Sequence, residues 1–370
     1  MFLALPSRLG LDSVLAHQLW SVLLGTISIL LVALVGRRIG GPRIGLLAAG
    51  LAAVSPGMWL HDGWVMAETL SIFATALAML ATYALWDRPG PARAAALGAA
   101  VALAALSRSE LLFLWPLLVL PVVWLRRSTA HRPLLSVAAA GCTTALLLAP
   151  WSIYNTARFD EVVVLSNQLD RTMAASWCDE GFSGPLRGYK AVECLRRAAG
   201  DAGDEEEERA AYAEAWRGYA ADHLGEVPAV AVARIGRLLG LYRPGQQLRF
   251  ETEQQPGPER PILLAAMMLT YVLLALAVVG AVRLGRAGVP RFPVLAPIIV
   301  VGASAALTFG QLRYRAPAEP ALILLAAATF RPGTASEARD TGSGGESAGR
   351  PRAGTDPSEE RPDSAGQGAG

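Results

Sequence analysis

Apolar residues form long blocks along most of the chain, and short segments rich in Arg, Pro and Gly separate one block from the next. A membrane-spanning helix needs about 20 apolar residues, although about 17 can suffice. The pattern therefore predicts an all-α integral membrane protein with about nine transmembrane helices and one large extracytoplasmic loop domain. The predicted spans are 14–36, 43–60, 68–86, 92–107, 111–125, 133–150, 261–283, 292–310 and 316–330.

Charged residues are concentrated in two segments, which divide the chain into four predicted regions. An N-terminal transmembrane block of about six spans (1–150) precedes the extracytoplasmic loop domain (151–260). A C-terminal transmembrane block of about three spans (261–330) is followed by a tail (331–370) rich in Gly, Ser, Glu, Arg and Pro. Such a segment buries too little apolar surface to order itself, so the tail is predicted to be disordered.

The arginines set the predicted orientation, because cytoplasmic loops carry an excess of basic residues. Placing loop 151–260 outside puts eleven arginines in cytoplasmic loops and four in short outer segments. The N-terminus is then extracytoplasmic and the tail cytoplasmic. Nearly all basic residues are Arg, with Lys190 the lone lysine, and Ala and Gly are abundant. This usage suggests a GC-rich bacterial genome, so the predicted location is the bacterial plasma membrane.

Composition agrees with a chain whose main partner is membrane lipid. Hydrophobic residues make up 53% of the chain and charged residues 17%, whereas a soluble domain carries about a quarter charged residues. The formal net charge of +2 is too small to imply a nucleic-acid partner.

Two cysteines, Cys178 and Cys194, fall in the predicted outer loop. An oxidising compartment favours a disulfide between them, and no His accompanies them as a zinc site would require. Two free thiols are the alternative.

The same loop contains two predicted helices. Aromatic residues at helical spacing in 204–224 are expected to pack the loop domain. Pro228 suits the first turn of a second helix, on which Arg234 and Arg237 lie beside an apolar side. This helix is predicted to lie on the outer membrane face. Its arginines would then either attract lipid phosphates or simply solvate the helix.

Several polar residues lie at the outer ends of predicted spans. Glu68 opens an apolar run, where a carboxylate is costly unless it has a partner or a role; the alternative is a helix N-terminal charge satisfied by the helix dipole. His61 and Asp62 are candidate ligands of a divalent cation together with Glu68, although the spacing matches no strong ligand motif. The sequence therefore leaves open whether a divalent cation binds here.

Three of the four arginines in short outer segments are candidate site residues, and two of them, Arg313 and Arg315, break the charge rule. Arg108 has Glu110 as a neighbour for an ion pair in a tight outer turn. Arg313 and Arg315 occur in the outer segment QLRYRAPAEP. Exceptions of this kind suggest an anionic group to bind, such as a phosphate at the bilayer surface.

An ordered series of individually weak motifs runs along the chain. They are GGPRIGLLAAGLAAVSPGMWLHDGWVMAETL (40–70), LSRSE (106–110), APW (149–151) with Asn155, the segment Cys178…Gly184…Gly188…Cys194, RIGR (234–237) through YRP (242–244), and RYRAP (313–317). Through this series the chain resembles the GT-C membrane glycosyltransferases over about residues 10–330, and most of all the bacterial branch related to protein O-mannosyltransferases and lipid A aminoarabinose transferases.

Members of this family transfer a sugar from a polyprenyl-phosphate donor to an acceptor on the outer face of the membrane. The resemblance implies that Arg313 and Arg315, with Arg108, face the donor phosphate and that Glu68 lines the active cavity. The implied acceptor is a glycan, lipid or protein of the cell envelope.

One departure concerns the catalytic base. The family begins with an outward helix and an outer loop that carries an acidic base, whereas here the first span runs inward and Asp12 lies outside the expected motif. We therefore expect either a longer protein or a truncated relative. Sugar transfer needs a base near the acceptor hydroxyl and positive charge for the departing phosphate. For the base, Asp62 and Glu68 are the substitutes.

The predicted function is a membrane glycosyltransferase that uses a polyprenyl-phosphate sugar donor in envelope assembly. The alternative is a non-catalytic membrane protein, either a lipid-linked sugar transporter or flippase, or a scaffold subunit. A transporter is expected to show ionisable residues within spans and internal symmetry, and neither is evident.

Overall fold

The structure is a computed structural model, and it describes residues 4–127, 132–159, 162–253 and 259–331. Within these ranges every regular element is a helix, and no strand occurs. Residues up to Arg331 form one compact unit. The predicted disordered tail falls, after Arg331, outside the described residues.

The helices follow the apolar blocks of the sequence. The first eight are α1 (Ala4–Arg8), α2 (Val14–Gly40), α3 (Pro42–Val54), α4 (Pro56–Trp59), α5 (Ala67–Asp87), α6 (Pro91–Ser107), α7 (Leu114–Leu125) and α8 (Pro133–Phe159). The loop segment contains α9 (Leu169–Ala174), α10 (Asp179–Phe182), α11 (Val192–Ala199), α12 (Glu205–His223), α13 (Val227–Leu238) and α14 (Pro244–Glu253). The last three are α15 (Arg260–Arg286), α16 (Phe292–Leu307) and α17 (Glu319–Ala328), and 3₁₀ turns occupy Asp62–Trp64, Ser109–Phe113, Leu224–Glu226 and Leu312–Ala318.

Four helices, α2, α5, α8 and α15, are long and apolar enough to cross a membrane, which supports a multi-pass membrane protein. The pair α3 and α4, continued to Trp64, makes a fifth candidate if it is one span bent by 72°. Three further apolar helices are shorter, at Pro91–Ser107, Ser109–Leu125 and Phe292–Leu307. The count of nine spans therefore stays a prediction.

The centre of the bundle is α17, in which all ten residues are buried. Its Leu322 and Leu325 belong to one apolar cluster with residues of α2, α3, α5 and α15. By contrast, α8 and α15 carry exposed large apolar residues such as Leu146 and Val278. Apolar side chains directed outward are expected where lipid, rather than water, covers the helix.

The loop segment packs against itself through aromatic rings. Trp177, Phe182 and Val230 form a buried cluster on which Trp216 and Tyr219 of α12 pack, as expected for the aromatic stripe of that helix. A disulfide joins Cys178 to Cys194. The predicted bridge is therefore confirmed.

Helix α13 differs from the expectation for a helix lying on the membrane. Arg234 and Arg237 are fully buried, so the prediction that they face lipid phosphates or water is wrong. Arg234 donates to the carbonyls of Ser176 (2.8 Å) and Ala306 (3.0 Å). Arg237 donates from Nε to the carbonyl of Arg187 (2.6 Å). Their guanidinium groups satisfy backbone carbonyls of the loop segment and of the end of α16, which fixes the loop to the bundle.

Candidate functional site

A cavity opens where the bent segment α3–α4 meets α14, α15 and the 3₁₀ turn Leu312–Ala318. It gathers ionisable side chains from three distant parts of the sequence. The lining residues are Gly57, Leu60, His61, Trp64, Glu251, Leu263, Ala266, Met267, Leu312, Arg313, Arg315, Ala316 and Glu319. Convergent charges in an otherwise apolar pocket are typical of a binding site.

The bend that forms one wall of this cavity follows from local sequence. Pro56 begins α4 directly after the last residues of α3, and proline cannot continue the hydrogen-bond ladder of the preceding helix. The backbone then reaches Val65 in the left-handed region (φ 55°), and Met66 is extended before α5 begins at Ala67. Within this broken segment, the side chains of His61 and Asp62 are buried.

Arg315 lines the cavity and is already bonded within the protein. Its Nε donates to Glu319 Oε1 at 2.6 Å and its Nη2 to Thr270 Oγ1 at 2.8 Å. The side chains of Arg315 and Glu319 are only 8% and 3% exposed. The structure thus places Arg315 at the predicted site, but as a member of a buried ion pair.

Arg313 is half-buried and lies nearer the surface than Arg315. Its guanidinium lies 5.3 Å from the centroid of the Tyr314 ring. Arg108, contributed by the turn after α6, lies over the same ring at 4.3 Å. Tyr314 therefore brings together two of the three arginines that were predicted to bind an anion.

Glu68 and Arg108 are neighbours, but Glu68 is not among the described residues that line the cavity, where the resemblance places it. Glu68 lies in the first turn of α5 and is buried, with Oε1 3.8 Å from Arg108 Nη1. Arg108 also donates from Nε to Glu110 Oε1 at 2.6 Å, which is the ion pair that the sequence suggested. The buried Glu68 is therefore compensated both by the helix N-terminus and by Arg108.

Asp62 is buried away from the cavity lining. Its Oδ1 accepts a hydrogen bond from Thr69 Oγ1 at 2.7 Å, and its carboxyl group lies against Gly25 of α2, where a Cβ would collide with it. His61 lines the cavity instead, with Trp64 edge-on to its ring (centroids 5.8 Å apart). His61 Nδ1 forms no hydrogen bond with any described residue. His61 and Asp62 are adjacent in sequence, yet His61 faces the cavity and Asp62 faces α2.

The candidate cation site is not assembled in this arrangement. Among the described residues, the one group of His, Cys, Asp and Glu ligand atoms close enough to share an ion is Cys178, Glu180 and Cys194. The disulfide uses both of those sulfur atoms. His61, Asp62 and Glu68 do not converge, because Asp62 faces α2 whereas His61 faces the cavity.

Glu251 is a cavity residue that the sequence interpretation missed. Its Oε1 accepts from the backbone N of Leu312 (3.2 Å) and from Gln247 Nε2 (3.0 Å). Burial raises the pKa of the Glu251 carboxyl, while those hydrogen bonds and nearby Arg313 act in the opposite direction. Gln247 and Glu251 are four residues apart on α14, and this i, i+4 spacing was the available signal.

Comparison with known proteins gives one partial family match. Residues 1–154 match the family model of dolichyl-phosphate-mannose-protein mannosyltransferases. The match supports the GT-C superfamily. Neither a curated protein nor a solved structure matches the chain.

The matched segment contributes one part of the site and the unmatched segment the other. His61 and Arg108 lie within residues 1–154, whereas Arg313 and Glu251 lie beyond them. A family match of this kind suggests a membrane glycosyltransferase of the GT-C kind.

Proposed function

We propose that this protein is a GT-C membrane glycosyltransferase that moves a sugar from a polyprenyl-phosphate donor to an envelope acceptor on the outer face of the bacterial plasma membrane. The acceptor is a glycan, a lipid or a protein. The observation that carries the proposal is the shared stacking of Arg108 and Arg313 on Tyr314. Arg108 belongs to the family-matching segment and Arg313 to the cavity lining, so that Tyr314 connects the two.

The proposed reaction is a displacement at the anomeric carbon of the donor sugar. The acceptor hydroxyl oxygen forms the new bond, the bond to the phosphate oxygen breaks, and the phosphate leaves with the electron pair. Arg313 and Arg108 stabilise the charge that develops on the phosphate. Arg315 keeps Glu319 neutralised and shapes the cavity wall.

Of the two substitute bases, we propose that Glu68 rather than Asp62 accepts the proton of the acceptor hydroxyl. Glu68 lies beside Arg108, the arginine that shares the Tyr314 ring with Arg313. Asp62 instead accepts a hydrogen bond from Thr69 and packs against Gly25 of α2. The carboxylate of Glu68 would accept the proton as the new bond forms.

The test measures donor binding and turnover by the full chain in lipid nanodiscs with a panel of radiolabelled polyprenyl-phosphate hexoses. Arg313→Ala should weaken donor binding about 10- to 100-fold, as expected for losing a hydrogen bond to a charged group. Arg313→Lys should restore part of it, because a point charge replaces the planar fork. The matched control is Arg249→Ala, since Arg249 is exposed and pairs with Glu253 on the far side of α14 from the cavity residue Glu251. Equal donor affinity in Arg313→Ala and Arg249→Ala would contradict the proposal.

A second candidate, a transporter or flippase for lipid-linked sugars, is favoured by the 72° break in the span Pro42–Trp64. Broken helices of this kind form substrate sites in transporters. The same nanodisc assay separates the two, because a transporter moves the donor without cleaving its sugar–phosphate bond. Movement of intact donor between the leaflets of a vesicle, without cleavage, would support the second candidate.

A further inference from the structure

A second cavity lies where the loop segment meets the end of α8. It has a volume of about 220 Å³, and none of its described lining residues lines the cavity that contains Arg313. Its walls come from residues 158–159 of α8, from residues 167–171 and from residues 205–212 of α12. Cavities for drug-sized molecules measure about 300–1,000 Å³, so this one suits a small ligand or one end of a longer one.

Hydrogen bonds beside this second cavity hold its walls in place. Ser152 Oγ of α8 donates to the carbonyl of Val164 at 2.6 Å, which joins the end of that helix to the segment leading to α9. Trp216 Nε1 of α12 donates to Asp170 Oδ1 of α9 at 2.8 Å. The three walls are thus tied to one another, and the cavity is formed before a ligand binds, as is usual for ligand sites.

The lining of the second cavity contains both hydrogen-bond donors and hydrogen-bond acceptors. The side chains of Arg158, Arg171 and Glu205 line it, and none of the three forms a hydrogen bond or ion pair with a described residue. The hydroxyl of buried Tyr212 donates to Glu208 Oε1 at 2.6 Å, which fixes that carboxylate in the wall. Guanidinium donors and carboxylate acceptors therefore share this cavity without satisfying one another.

This mixture of groups indicates the chemistry of the ligand. A guanidinium only donates hydrogen bonds and a carboxylate only accepts them, whereas a hydroxyl does both. Neighbouring hydroxyls of a sugar therefore pair with both kinds of group at once. A phosphate only accepts, and the carboxylates of Glu205 and Glu208 repel it. The half-buried ring of Phe159 also lines the cavity, and an aromatic ring packs well against the apolar C–H face of a sugar.

We propose that the second cavity binds a saccharide, and that in the working protein this saccharide is part of a glycan acceptor. The cavity begins at the last two residues of α8, a candidate membrane span, so it lies where that span meets the loop segment. Because the two cavities share no described lining residue, the sugars bound here are distant from the reacting hydroxyl. The acceptor is then a chain of several sugars. Its role as acceptor rests on the proposed function, whereas saccharide binding rests on the lining residues.

The first experiment measures saccharide binding without any donor present. Tetrasaccharides of mannose, of N-acetylglucosamine and of galacturonic acid are titrated into the full chain in nanodiscs, and binding is followed by saturation-transfer NMR. We expect at least one of them to bind, and Arg171→Ala to weaken that binding about tenfold, as for loss of a hydrogen bond from a charged group. The matched control is Arg196→Ala, since Arg196 is an exposed arginine of the same loop segment that pairs with Glu193 outside the cavity.

Three results of this titration would overturn the saccharide site. The first is that none of the tetrasaccharides binds. The second is equal affinity of the bound tetrasaccharide for Arg171→Ala and Arg196→Ala. The third is displacement of the tetrasaccharide by millimolar inorganic phosphate, which would make the second cavity an anion site instead.

A second experiment separates this inference from the proposed function. Sugar transfer from the radiolabelled donors is measured with the bound tetrasaccharide and with its monosaccharide as acceptors. In Arg171→Ala, the ratio of the tetrasaccharide KM to the monosaccharide KM should rise about tenfold, because only the longer acceptor reaches the second cavity. Transfer with an unchanged ratio would overturn the acceptor role while the proposed function stands. Saccharide binding that depends on Arg171 without cleavage of any donor would leave the site in place and contradict the proposed function.

Discussion

Replacing Arg315 by alanine removes one partner of a buried ion pair and leaves the other in place. Arg315 donates to Glu319 at 2.6 Å, and the two side chains are 8% and 3% exposed. Thr270 Oγ1 also loses a donor at 2.8 Å. Removing one partner of a buried pair costs about 3–5 kcal/mol, because the remaining charge is uncompensated. We therefore expect Arg315→Ala to lower the free energy of unfolding by about that amount.

The appropriate assay is reversible unfolding in mixed micelles with increasing SDS, followed by tryptophan fluorescence. Glu319→Gln is the reciprocal variant, and it should destabilise the protein as well, because Arg315 then lacks its carboxylate. The double variant Arg315→Met with Glu319→Leu should be destabilised less than Arg315→Ala, since an apolar pair carries no uncompensated charge.

The reasoning would be refuted by an Arg315→Ala protein with wild-type stability. If that protein also lost donor binding, Arg315 would contact the donor phosphate directly, as the sequence alone had suggested. If the double variant were the least stable of the three, the pair would owe its contribution to packing rather than to charge compensation.

Three further predictions concern the loop segment and its orientation. Cys178→Ser with Cys194→Ser should lower loop stability by about 3 kcal/mol in the chain-entropy model, and a reducing agent should lower that of the wild-type protein equally. A reporter active only outside the cytoplasm should work when fused near Gly200 and fail near Ser128. Because burial raises the pKa of Glu251 above its unfolded value, this group favours folding below the unfolded pKa and loses that contribution as pH rises through the folded pKa. Glu251→Gln should therefore flatten the fall in stability as pH rises above about 4.

Each of these has its own check. Cys142→Ser changes the free, exposed cysteine and should leave loop stability unaltered; equal losses in both cysteine variants would argue against the disulfide's role. Opposite reporter activities at the two fusion points would invert the membrane topology. A pH dependence of unfolding identical in Glu251→Gln and wild type would show that Glu251 does not set it.

Much of the fold could be predicted from the sequence, because lipid imposes a local requirement. A span must be apolar over its whole length and bond its own backbone. The blocks 14–36, 68–86, 133–150 and 261–283 accordingly fall within α2, α5, α8 and α15. Helix α8 nevertheless continues to Phe159 past the predicted boundary, because a membrane helix tolerates the interior Pro150. The disulfide and the Arg108–Glu110 pair join groups close in sequence, and both were foreseen.

The site depended on contacts that no local pattern encodes. The sequence marked Asp62 as a substitute base and gave Glu251 no role, yet His61 and Glu251 line the cavity and Asp62 does not. Whether a side chain at a helix break faces the cavity or a neighbouring helix depends on how the next helices pack, here on the space left by Gly25.

The burial of the Arg234 side chain likewise depends on tertiary packing. An amphipathic pattern shows that one face of α13 is apolar. It does not show that the carbonyls of Ser176 and Ala306 accept hydrogen bonds from an arginine of this helix. Those acceptors lie 58 and 72 residues away along the chain, and tertiary packing alone brings them within reach. Hydropathy acts residue by residue and can be read along a sequence, whereas a buried charge is stable only where distant groups converge around it.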